Sequence, residues 1–69
     1  MNQYEIIIYW SKDDECYIAE VPELPGCMAD GTTRAEVLQN IELIISEWIE
    51  TAALEGRDIP IPKGRLVYA

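Results

Sequence analysis

Val21-Pro22-Glu23-Leu24-Pro25-Gly26-Cys27 sets two prolines and a glycine within five residues, between two apolar runs. Each proline fixes its own φ near −65° and removes a backbone donor. Each also pushes the residue before it, Val21 or Leu24, toward extended geometry. Gly26 can take a positive φ at little steric cost. The chain must leave one strand here, turn a stiff corner and enter another. Pro22, Leu24, Pro25, Gly26 and Cys27 therefore read first as a structural corner, since loops punctuated by Pro and Gly are common.

Upstream, Tyr4 to Trp10 is rich in β-branched and aromatic residues and reads as a strand. Period two places Tyr4, Ile6, Ile8 and Trp10 on one face and Glu5, Ile7 and Tyr9 on the other. Ser11 to Glu15 is a polar turn. Cys16 to Val21 then returns as the second leg of a hairpin. Downstream of the corner, Cys27 to Asp30 is a short third strand ended by Gly31.

The period then changes. Thr33-Arg34-Ala35-Glu36 fits a capping box, with Thr33 as N-cap and Glu36 at N3. Arg34 to Glu55 contains neither Gly nor Pro. Within it Val37, Leu38, Ile41, Ile44, Ile45, Trp48 and Ala52 recur at steps of three and four, marking one apolar face. Gly56 stands where a C-terminal cap belongs. Twenty-two helical residues span about 33 Å, enough to cross a small sheet. Pro60 and Pro62 stop further helix, and Arg65 to Tyr68 reads as a final short strand. The order β-β-β-α-β predicts an α+β domain: an antiparallel sheet of three to four strands with one long helix on one face. The other face then has no cover, and its apolar residues favour self-association as a dimer or tetramer.

Sixty-nine residues make one domain, residues 1–69. A chain this short buries only roughly 60% of its unfolded surface, so a partner would add to its stability. Thirteen acids against five bases give a net charge of −8. Nucleic-acid binding depends on Lys and Arg neutralising phosphates, so this chain is a poor candidate for it. An acidic surface suits a basic protein. No run is long enough to span a membrane, and no secretory signal opens the chain. The expectation is a cytoplasmic protein with reduced thiols, in which Cys16 and Cys27 are small buried hydrophobes; a Cys16–Cys27 bridge is the alternative if their strands are neighbours.

The chain has no histidine, which removes the commonest general base and metal ligand. Two isolated cysteines cannot build a four-ligand zinc site. The glycines are too scattered for a phosphate-binding loop. Ser11 and Ser46 have no histidine partner for a triad. Glu5, Glu20 and Asp30 on candidate strands are the one arrangement suited to magnesium. Their alternation with apolar neighbours instead marks solvent-facing positions. No catalytic residue, cofactor or metal is expected.

Taken together, these residues resemble the HicB antitoxins of bacterial and archaeal HicA-HicB toxin-antitoxin pairs. The similarity runs through the opening Tyr-rich strand, the acidic turn Asp13-Asp14-Glu15 and Tyr17. It continues through Pro22-Glu23-Leu24-Pro25-Gly26-Cys27, which is similar to the family's Pro-x-Leu-Pro-Gly-Cys signature. Gly31-Thr32-Thr33, Glu36, Asn40, Trp48-Ile49 and Gly56 to Pro62 follow at family-like spacing. The resemblance implies a truncated ribonuclease-H-like fold without a nuclease site. It implies binding to a small basic toxin of double-stranded-RNA-binding-domain fold that cleaves messenger RNA, with the toxin's catalytic histidine blocked by contact. Longer relatives carry a C-terminal helix-turn-helix or ribbon-helix-helix module. This sequence ends at Ala69, so no DNA-binding domain and no specific operator binding are expected.

On a helical projection Val37, Ile41, Ile45, Trp48 and Ala52 form the core face. Glu36, Leu43, Glu47, Glu50 and Leu54 fall together on roughly the opposite face. Glutamates there are ordinary. Leu43 and Leu54 suit an apolar anchor ringed by negative charge, matched to a cationic toxin. The Pro22 to Cys27 corner with its adjacent strand edge is the alternative docking surface. Two other functions compete: a free-standing oligomeric binding module without a toxin, and a carboxylate-metal hydrolase.

Overall fold

Backbone pairing in the computed structural model, which describes residues 3–62, sets three strands and a helix in the order β1 (Ile7–Ser11), β2 (Cys16–Glu20), β3 (Met28–Gly31) and α1 (Arg34–Leu54). The strands form an antiparallel meander with β2 in the centre. Ile8 stands opposite Ala19, which stands opposite Ala29. Alternation then puts Ile8, Trp10, Tyr17, Ala19, Ala29 and Gly31 on one face. Helix α1 packs on that face, nearer β3 and β2 than β1. The core between them holds Tyr4, Ala19, Val21, Leu24, Cys27, Val37, Ile41 and Ile45.

The first strand starts three residues later than its composition predicts. Tyr4 is buried, and its hydroxyl donates to the carbonyl of Pro60. This long-range tie and the burial of the ring draw Tyr4 into the core, outside the ladder. At the other end β1 gains Ser11, whose hydroxyl donates to Asp14 at 2.9 Å and accepts from the Asp14 N–H at 3.3 Å. That pair closes the turn to β2. Gly31, read from sequence as the stop after β3, is its last residue.

The helix is capped at both ends. Thr33 Oγ1 accepts from the Glu36 N–H at 3.0 Å. The reciprocal bond differs from a standard capping box: Glu36 accepts from the N–H and hydroxyl of Thr32, at 3.0 and 3.3 Å, rather than from the N–H of Thr33. At the C-terminus Glu55 is the cap and Gly56 has φ +72°. The Arg57 N–H reaches the Ala52 carbonyl at 2.8 Å and the Gly56 N–H reaches Ala53 at 3.2 Å. These are the two bonds of a Schellman motif.

Leu38 is a correction. Its spacing assigns it to the apolar face, yet it is exposed. The helix packs mainly on β3 and β2, and Leu38 lies on the flank opposite Asn40, which faces β3; there it is left 42% exposed. The expected final strand, Arg65 to Tyr68, lies outside the described residues.

The sheet face turned away from α1 carries Ile7, Tyr9, Ile18 and Met28, with Glu20 and Asp30 beside them. Tyr9 and Met28 are 42% and 50% exposed. The dimer or tetramer expected from sequence would rest on this face. Light scattering at micromolar concentration should give a mass at least twice 7.9 kDa. A monomer would remove that expectation.

Candidate partner-binding surface

The proline corner is two consecutive β-turns. The Leu24 N–H bonds the Val21 carbonyl at 3.1 Å, and the Cys27 N–H bonds the Leu24 carbonyl at 3.0 Å. Each turn has proline at its second position, where φ near −65° is required. Gly26, at the third position of the second turn, has φ +80°, as a type II turn demands. The Val21 N–H closes the loop on the Cys27 carbonyl at 3.0 Å. Leu24 and Cys27 point into the core, while Pro22 and Pro25 are exposed. Trp48 clasps the corner from the helix: its indole N–H donates to the Pro25 carbonyl at 3.0 Å. On the same ring lies the Arg57 guanidinium, 5.5 Å from the centroid. The corner is thus held by backbone, core and helix together.

The helix residues singled out from sequence are all exposed: Glu36, Leu43, Glu47, Glu50 and Leu54. Leu43 is 64% and Leu54 81% exposed. Their positions along α1 make one stripe that faces away from the sheet. Glu36 departs from the other four. Its carboxylate is engaged by Thr32 at the helix N-terminus, so it serves the cap. The remaining four leave an apolar pair separated by two carboxylates.

Sequence reading missed the groove beside this stripe. Met28, Ala29, Asp30, Asn40, Leu43 and Ile44 line a shallow space between β3 and α1. The Asn40 amide donates to the Asp30 carbonyl at 2.8 Å. Asn40 is a poor helix former, and its place on the β3 side of a covering helix was the available signal. Leu43 belongs to both groove and stripe.

Trp10 and Tyr17 meet edge to face at 5.1 Å. Arg34 lies 5.3 Å above the Tyr17 ring. Glu20 and Asp30 share the sheet face turned away from α1. Among the described residues no three His, Cys, Asp or Glu side chains stand close enough to hold a metal ion. Both cysteines are free. Burial raises the thiol pKa of Cys27. Desolvation first, then the carboxylates of Asp30 and Asp14, raise that of Cys16. Both are protonated at neutral pH, which disfavours thiolate chemistry. No described helix is long and apolar enough to cross a membrane.

The UPF0150-like family model matches residues 2–60. A UPF0150 protein of Thermoplasma acidophilum is 39% identical over 59 residues, covering 84% of this chain and 83% of its own length. A UPF0150 protein of Synechocystis sp. is 35% identical over 57 residues, covering 83% of this chain and 77% of its own length. Another from that organism is 38% identical over 57 residues, covering 81% and 83%. No solved structure matches.

Proposed function

The chain belongs to the UPF0150-like family, and from that premise we propose that it is a HicB-type antitoxin: a non-enzymatic binding module that neutralises a small basic, RNA-cleaving HicA-like toxin. The observation that carries this reading is the exposed stripe of α1, where Leu43 and Leu54 stand among Glu47 and Glu50 on a chain of net charge −8. An apolar anchor supplies buried contact. Surrounding carboxylates steer a cationic partner and set its register. The absence of histidine supports a role in occlusion rather than catalysis. The resemblance in the Pro22 to Cys27 segment supports the toxin as partner.

The test is an RNA-cleavage assay with a purified HicA-like toxin. Adding the chain should abolish cleavage near stoichiometric ratio, and the chain alone with magnesium should leave RNA intact. The double variant Glu47→Lys, Glu50→Lys should remain folded by circular dichroism and lose most neutralisation. Cleavage unaffected by excess wild-type chain would overturn the reading.

A further inference from the structure

We propose that the groove between β3 and α1 seats an apolar side chain of a basic helix, and that this partner docks through side chains rather than by adding a strand to the sheet. The inference rests on the partner charge proposed above and goes beyond it in naming the seat and the mode of docking.

The groove measures about 270 Å³. That is below the range of a drug-sized pocket, roughly 300–1,000 Å³, and suits one or two side chains. Half-buried Ala29 and Ile44 provide its apolar depth, and exposed Met28 and Leu43 stand at its rim. Asp30 adds a carboxylate. Glu47 follows Leu43 by one helical turn and extends the negative charge along the rim. Among the described bases, Arg34 lies over Tyr17, Arg57 over Trp48 and Lys12 in the β1–β2 turn. None of them lines the groove. The seat is apolar inside and acidic at its margin, which calls for an apolar anchor flanked by Lys or Arg.

Asn40 decides the mode. Strand addition needs a free row of N–H and C=O groups along an edge. β3 is only four residues long, and its Asp30 carbonyl is already taken by the Asn40 amide at 2.8 Å. An incoming strand would have to displace that side chain. A helix laid along α1 would not.

The probe is a synthetic amphipathic helical peptide of Leu, Lys and Ala, titrated into the ¹⁵N-labelled chain. A control peptide has every Leu replaced by Ala. The Leu peptide should bind saturably, with amide shifts concentrated at residues 28–30 and 40–44, and the control should not. Leu43→Asp adds negative charge, so pure Coulomb attraction would tighten binding. Its expected effect is at least about a tenfold loss, as for truncating an interface anchor. Three results would overturn the inference: no saturable binding at millimolar peptide, shifts centred on Ile7, Tyr9 and Ile18, or binding that survives Leu43→Asp and newly protects the Met28 and Asp30 amides. Toxin neutralisation is read separately. Neutralisation without peptide binding would sink the groove and leave the antitoxin reading standing, and the converse would sink only the latter.

Discussion

Leu24→Ala should remove a large part of the chain's stability and lower its urea midpoint well below that of any neighbouring change. Leu24 is fully buried, at 0% exposure, at the junction of the two turns of the proline corner. It packs in the cluster that includes Val21, Cys27, Val37, Ile41 and Ile45. Truncating a buried leucine to alanine costs about 2–5 kcal/mol, from lost transfer energy and the residual cavity. A domain of this length has a total stability of roughly 3–10 kcal/mol. The loss is therefore a large fraction of the whole. The corner cannot collapse around the cavity, because its prolines and the Val21 to Cys27 bond fix the backbone. Neighbouring changes should be milder. Pro22→Ala acts mainly on the unfolded chain, at about 0.4–1 kcal/mol. Trp48→Phe removes one hydrogen bond to Pro25, at about 0.5–1.5 kcal/mol. Urea titration followed by far-ultraviolet circular dichroism would give all three. A Leu24→Ala midpoint no lower than that of Pro22→Ala would show that the corner is not seated in the core.

These residues also explain what could be read from the chain. The corner was legible because its determinants are local: proline at the second position of each turn and glycine where φ is positive. The helix was legible for the same reason, since Thr33, the apolar periodicity and Gly56 act within a few residues of themselves. Each misreading turns on what a side chain meets in the folded chain, which periodicity does not state. Tyr4 has strong strand propensity, but its hydroxyl is bonded to Pro60, 56 residues away. Leu38 has the right period, but the helix lies toward β3 and leaves that flank uncovered. Glu36 fell on the acidic stripe by projection, yet Thr32 claims its carboxylate. Asn40 bonds Asp30, ten residues earlier on another element. Periodicity places a residue on a face; it does not say what that face meets. The stripe of Leu43, Glu47, Glu50 and Leu54 could be found from sequence, whereas the groove beside it required the position of α1 on the sheet.

Gly31→Ala should cost about 1–3 kcal/mol, the range for forcing an extra methyl group into a packed site. A Cβ on Gly31 would stand 2.7 Å from the backbone nitrogen of Val37 and 3.0 Å from its Cα. Both are backbone atoms in the first turns of α1, so no side chain can swing aside. The helix would have to lift from the end of β3, loosening fully buried Val37 and, one turn on, Ile41. The requirement at Gly31 is one of space. At Gly26 and Gly56 a Cβ would meet nothing within 4 Å, but φ is +80° and +72°. There the requirement is conformational, and alanine costs about 1–2 kcal/mol. Since these ranges overlap, the size of the alanine effect does not separate the two causes, but asparagine does. It tolerates the left-handed region better than alanine, so Gly26→Asn and Gly56→Asn should recover part of the loss. Gly31→Asn, bulkier than alanine at a contact with no room, should be at least as damaging as Gly31→Ala. Thermal and urea midpoints for the six variants would decide it. Recovery by asparagine at position 31, or an alanine effect there below about 0.5 kcal/mol, the level of ordinary surface substitutions, would mean that α1 does not start as close to β3 as this geometry has it.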